Sequence, residues 1–190
     1  HGKAMRRVAL YEPLVNRLNI QAYMPYVRKL TYELGEIWNE IGDIRASQAQ
    51  GKPSKGGKKI NEASLACIRY FELFLTSFLD DQLNNQDCEL PECETTQKSM
   101  PSKMEEDYYR TFIMANMHIA RQYTRMQCAD YEEAAGRVMK AKERYEWALK
   151  AATEYEITAE HGLVKELEMC SEMSALLPGK LKELRKVYPS

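Results

Sequence analysis

The 190-residue sequence predicts an all-α fold of antiparallel helix pairs. Apolar residues recur at spacings of three and four along almost the whole chain, which lines one face of an α-helix, while the alternation of a half-buried strand is absent. Most breaks between these stretches are short, and short links fold consecutive helices back on one another. A chain of this size buries roughly 70% of the surface its unfolded form exposes, so a hydrophobic core can hold it without disulfides or metals.

A first helix is expected from about Lys3 to Leu18, kinked or restarted at Pro13, where the ring removes a hydrogen bond. Asn19 is placed to cap a second helix, which carries Tyr23, Val27, Leu30, Leu34, Ile37, Trp38, Ile41 and Ile44 in one stripe and ends near Ala46. Pro25 falls in its first turns, where a missing N–H costs little. From Gln50 to Lys59 the Gly and Pro content reads as a solvated loop. The third helix, Ile60 to about Leu79, sets Ala63, Cys67, Tyr70, Phe71, Phe74 and Phe78 on its core face. Residues 80–103 lack periodicity and read as a long acidic loop.

Ser102 and Glu105 have the spacing of a capping box for a fourth helix, about Lys103 to Gln127. Asp130 opens a fifth, about Tyr131 to Tyr155, and a sixth follows from about Thr158 to Leu177. Pro178-Gly179 is expected to end the sixth helix, with residues 178–190 turning back as a C-terminal capping segment. Leu181, Leu184 and Val187 would then cover its apolar side, as the polar-backed ends of helical arrays do.

Two pairs of motifs suggest a repeat. Leu34-Gly35-x-x-Trp38 is followed by Ala66-x-x-x-Tyr70, and Ile119-Ala120-x-x-Tyr123 by Ala141-x-x-x-Tyr145-x-x-Ala148. In tetratricopeptide units small residues at such positions let two helices approach while a ring fills the groove beside them. The spacing between the halves is longer than in a standard unit, so the expectation is a lengthened, degenerate tetratricopeptide-like array occupying 1–190 as one subdomain.

Composition excludes several functions. Lys plus Arg is 27 and Asp plus Glu is 28, a balance that leaves no electrostatic footprint for nucleic acid. No apolar run reaches the ~18 residues of a membrane span. Five cysteines, an odd number with three in helical patterns, point to reduced thiols in a cytoplasmic protein. The chain opens on His1 and already reads as helix by Lys3, as a piece of a longer protein would.

Catalysis finds no constellation. His1, His118 and His161 have no Cys, Asp or Glu at metal or triad spacing. Gly51-x-x-x-x-Gly56-Gly57-Lys58 misses the phosphate-cradling pattern by one residue and has Lys59 where a hydroxyl is needed. Cys88 and Cys93 lack a second ligand pair. The expectation is therefore no enzyme, cofactor or metal.

Charge arrangement is the remaining signal. Asp80, Asp81, Asp87, Glu89, Glu92 and Glu94 occupy a stretch without Lys or Arg, whereas Lys52, Lys55, Lys58 and Lys59 occupy one without acids. One reading takes both as solvated connections; the other has the acidic run dock a basic protein surface, where charge steers encounter and selects the partner. A carboxylate-clamping peptide adaptor would need Lys, Arg and Asn at repeat spacing, and only Arg28, Asn116 and Arg121 offer themselves.

Glu166-Leu-Glu-Met169-x-x-Glu172-Met173-x-x-Leu176-Leu-Pro178-x-Lys180 resembles the C-terminal end of the kinesin-binding (KIF-binding) protein family. Arg6-Arg-Val-Ala-Leu10-x-Glu12-Pro-Leu14, Lys58-Lys-Ile-Asn61, Tyr70-Phe-x-Leu-Phe-Leu75 and Ala120-Arg-x-Tyr123 extend the likeness in the same order; residues 80–103 and the fifth helix before Arg144 match poorly. The resemblance implies a right-handed α-solenoid and a non-catalytic, monomeric, cytoplasmic and cytoskeleton-associated regulator. It would bind kinesin motor domains, keep them off microtubules, and so influence mitochondrial and vesicle transport and axon development. Its other expected partner is the N-terminal tetratricopeptide half of the same protein.

Overall fold

A computed structural model describes residues 2–18, 22–49, 53–78, 100–101, 104–155 and 162–188, with the backbone alone for 53–56. Six α-helices account for almost all of them: α1 (Gly2–Arg17), α2 (Met24–Ala49), α3 (Pro53–Thr76), α4 (Tyr109–Arg125), α5 (Tyr131–Glu154) and α6 (Val164–Val187). A 3-10 turn, Glu106–Tyr108, leads into α4, and no strand occurs among the described residues. Packing gathers into two compact units, His1–Met104 and Glu105–Ser190.

In the first unit α2 and α3 run antiparallel, since Arg28 meets Ser77, Gly35 meets Cys67 and Arg45 meets Lys59. Their closest approach is at Gly35. A Cβ there would lie 2.8 Å from three ring carbons of Phe71, and the Cys67 thiol donates to the Gly35 carbonyl at 3.3 Å. Tyr32 meets the edges of Phe71 and Phe74 at centroid separations of 5.5 and 5.1 Å, the tilted geometry that ring quadrupoles favour. Ala4 and Val8 of α1 join Leu34, Ile37, Ile41, Ala63 and Tyr70 in the core. The Tyr70 hydroxyl donates to Glu12 Oε1 at 2.9 Å, and burial, reinforced by that carboxylate, raises the phenol well above its ordinary pKa.

The second unit is a three-helix stack. Tyr109 against Tyr155, Phe112 against Trp147 and Arg144 against Asn116 make α4 and α5 antiparallel. Ser174 against Glu146 and Arg185 against Tyr131 do the same for α5 and α6. Ala141 and Ala148 are fully buried, and Tyr145 fills the space beside them, as the motif spacing anticipates. Asp130 caps α5 by accepting from the Glu133 backbone N–H at 2.8 Å, while the Glu133 carboxylate accepts from the Ala129 N–H at 2.8 Å.

Helices α2 and α6 begin at Met24 and Val164, later than expected, with Asn19 outside the described residues, and three further boundaries differ in kind. Helix α3 begins at Pro53, so Lys55, Lys58 and Lys59 belong to its first turns rather than to a loop; Lys52 lies outside the described residues. A proline at a helix start is favourable, and the Gly56–Gly57 pair, unfavourable by ~1 kcal/mol each, is carried by the long helix beyond it. Helix α4 begins only at Tyr109, and Glu105 precedes the 3-10 turn without a side-chain capping bond. Ser102, the other half of the expected capping box, lies outside the described residues.

The third correction is at Pro178. Helix α6 passes straight through it to Val187, so residues 178–187 do not turn back over the helix. They continue along the stack. Leu177 is buried, Lys180 Nζ donates to the Thr124 carbonyl at 3.4 Å, Arg185 Nε to the Tyr131 hydroxyl at 3.0 Å, and the Tyr188 hydroxyl to the Cys128 carbonyl at 3.0 Å. These ties to the α4–α5 turn offset the roughly 3 kcal/mol that an interior proline costs. Helix α1 likewise runs through Pro13.

Three outcomes are expected. Gly35→Ala should destabilise the protein by about 1–3 kcal/mol in denaturant titration, overpacking at Phe71 exceeding the ~1 kcal/mol helical advantage of alanine; an unchanged midpoint would contradict the close approach. Pro178→Ala, at an exposed position, should raise stability by up to about 3 kcal/mol, whereas a fall would restore the turn. Burial pushes both the Tyr145 hydroxyl and the Cys170 thiol up to about 12, from ordinary values of 10.0 and 9.0. The unfolded chain then loses these protons first, so stability should fall as pH rises from 9 towards 12, with a shallower slope in Cys170→Ala.

Candidate partner-binding surface

The acidic run proposed from sequence, Asp80, Asp81, Asp87, Glu89, Glu92 and Glu94, lies outside the described residues. What is described is its upstream anchor. Arg28 of α2 donates through Nε to Ser77 Oγ at 3.2 Å and through Nη2 to the Ser77 carbonyl at 2.9 Å, with its guanidinium 3.9 Å from the Phe78 ring centroid. One side chain thus satisfies a carbonyl at the end of α3 and covers the last ring of its core face, which fixes where the chain leaves the helix. Sequence spacing gives no hint of this tie, because its partners are far apart in the chain.

The basic residues are placed differently from the expected loop. Lys58 and Lys59 are exposed on the first turns of α3. Arg45 of α2 reaches the same point, donating to the Lys59 carbonyl at 2.6 Å and facing Glu62 at 4.0 Å. The Gly56-Gly57-Lys58 stretch is helical and so cannot cradle a phosphate as a loop would.

The candidate carboxylate clamp is dispersed. Arg28 is committed to Ser77 and Phe78 in the first unit. Asn116 is fully buried in the second, donating to the Phe112 carbonyl at 3.0 Å and accepting from Arg144. Arg121 is exposed and close enough to Tyr145 to lower its pKa against the stronger effect of burial.

Among the described residues no three His, Cys, Asp or Glu side chains gather as a metal site. Cys67 and Cys170 are buried, and burial also raises the Cys128 thiol, which keeps it from being a reactive thiolate. No described helix is long and apolar enough to cross a membrane. Among the described residues, helix faces carry exposed side chains of interest. One was missed in sequence: α1 exposes Leu10 and Leu14 on the side away from its buried Ala4 and Val8. The spacing of four was legible, but the sequence reading assigned no face to the first helix.

Comparison with known proteins adds the family. Residues 4–184 match the sequence family described as "KIF-1 binding protein C terminal". The KIF-binding protein of Gallus gallus is 30% identical over 183 residues, covering 95% of this chain and 28% of its own length. That of Homo sapiens is 27% identical over 183 residues, with 95% and 27% covered, and that of Dictyostelium discoideum 24% over 192 residues, with 96% and 28%. The chain thus spans little more than a quarter of the length of these curated relatives. No solved structure matches it. With the match running from Ala4 to Leu184, through all six helices, the chain belongs to the KIF-1 binding protein C-terminal family.

Proposed function

We propose that this chain is part of a non-catalytic regulator that binds kinesin motor domains and prevents their attachment to microtubules. The observation that carries the reading is family membership over residues 4–184, with relatives named as KIF-binding proteins. The acidic run supplies the chemistry. A motor's microtubule-binding face must be basic to hold acidic tubulin, and Asp80, Asp81, Asp87, Glu89, Glu92 and Glu94 offer it a competing anionic surface. Lys52, Lys55, Lys58 and Lys59 form a secondary basic contact. The helix pairs are units of a right-handed tetratricopeptide-like solenoid, and the protein acts as a monomer in the cytoplasm beside the cytoskeleton, affecting mitochondrial and vesicle transport and axon development. The peptide-adaptor reading is disfavoured because Arg28 and Asn116 already serve internal bonds.

Motor domains incubated with this chain and with the protein extended to the length of its relatives should remain in the supernatant after microtubule co-sedimentation. Replacing the six carboxylates by Asn or Gln should slow motor association about tenfold at low ionic strength, with a smaller effect at high salt. An extended protein that releases no motor would refute the reading; association rates unchanged by the neutralised run would remove the acidic contact from it.

A further inference from the structure

Tyr131 stands at the first residue of α5 with acids on both sides, Asp130-Tyr131-Glu132-Glu133, and its hydroxyl accepts a hydrogen bond from Arg185 Nε of α6 at 3.0 Å. The Arg185 guanidinium lies 6.0 Å from the centroid of the same ring, and Lys182 and Lys186 share the exposed end of α6 with it. Upstream, residues 126–130 are not helical, with extended backbone at Met126 and Asp130, and Gln127, Ala129 and Asp130 are exposed. Beyond the hinge-like pair Pro178-Gly179, none of residues 178–187 is buried. This end of α6 reaches the α4–α5 turn through polar ties, Lys180 to Thr124, Arg185 to Tyr131 and Tyr188 to Cys128. Few buried contacts and exposed hydrogen bonds are what let a segment open locally while the rest stays folded.

We propose that Tyr131 is a phosphorylation site for a tyrosine kinase with a basic substrate groove, and that Arg185 receives the phosphate and holds the end of α6 shut on the α4–α5 turn. Acids on both sides of the tyrosine complement a groove lined by cations, the charge matching by which kinases select substrates. In the transfer, the bond from the γ-phosphorus of ATP to its β,γ-bridging oxygen breaks and Tyr131 Oη bonds to that phosphorus. ADP leaves, and the phenolic proton passes to the kinase's base. The hydroxyl is reached when the end of α6 opens, and the product then draws it closed. A phosphotyrosine carries about −1.5 to −2 charges and three acceptor oxygens, so the neutral acceptor that Arg185 now meets becomes a charge-assisted, forked pair. Lys182 and Lys186 add to the attraction. Of the neighbouring carboxylates, Glu133 is already paired with Arg137, and Asp130 is turned to the Glu133 N–H as the cap of α5. Tyr155 also stands between glutamates, but its ring packs edge-on against Tyr109, and Tyr70 and Tyr145 are buried. The inference rests on neither the family match nor motor binding, so a protein that fails to hold motors leaves it standing.

Phosphopeptide mapping combined with hydrogen exchange tests it. This chain, and the protein extended to the length of its relatives, would be incubated with MgATP and a tyrosine-kinase catalytic domain that modifies a Glu–Tyr copolymer. Phosphate should appear on Tyr131 in both lengths. Asp130→Asn with Glu132→Gln, which keeps a good helix cap, should slow its arrival about tenfold. Amide exchange over residues 180–187 should be at least about fivefold slower in the phosphorylated chain than in the unmodified one. Arg185→Gln should still accept phosphate but show no slowing, Arg185→Lys should retain part of it, and circular dichroism should give every variant the same helicity before modification. Phosphate confined to other tyrosines while the copolymer is modified would overturn the proposal, as would a rate unchanged by the neutralised flank. Exchange over residues 180–187 that is unchanged or faster after phosphorylation, or slowing that survives Arg185→Gln, would overturn it equally.

Discussion

How closely two helices may approach depends on the smallest side chain between them, and in the first unit that limit is Gly35. The Phe71 ring occupies the space a Cβ would take, and the Cys67 thiol reaches the carbonyl of the same residue. From this contact the register of α2 on α3 follows in both directions, to Arg28 with Ser77 at one end and Arg45 with Lys59 at the other. The core that α1 covers, Leu34, Ile37, Ile41, Ala63 and Tyr70, lies on these same helices. A bulkier residue at Gly35 would force the ring, and with it Tyr32 and Phe74, to repack.

The second unit meets the same constraint with alanines. Ala141 and Ala148 let α5 lie close to its neighbours, while Tyr145 fills the remaining space and shares its dry surroundings with Cys170. Burial there is deep enough to suppress ionisation of both groups. A polar pair, Asn116 and Arg144, ties α4 to α5 inside this unit, and its value is specificity of register as much as energy. Two of the three candidate clamp residues, Arg28 and Asn116, thus serve in building the scaffold.

The proposed contacts rest on charge read along the sequence. The acidic run and the basic stretch are linear features, so reading them requires only charge and position. The secondary structure of the basic stretch was not legible, because Gly, Pro and Lys at 53–59 are equally compatible with a loop and with the first turns of a long helix. The anchor at Arg28 and the exposed pair on α1 were hidden for another reason. Both depend on which side of a helix faces a neighbour, and periodicity identifies an apolar stripe without saying whether a second, smaller apolar patch is left outside.

By itself the sequence determined the helical class, the capped start of α5 at Asp130, and the small-residue positions at Gly35, Ala141 and Ala148 where helices meet. These are set by interactions within a few residues or by side-chain size. Only tertiary structure decided that Pro178 would not end α6. The local cost of the proline is readable from its ring, but the ties that offset it come from Thr124, Cys128 and Tyr131 on other elements. Local signals name the energy a break would save, while the energy that keeps the helix straight is spread over contacts that exist only once the chain has folded.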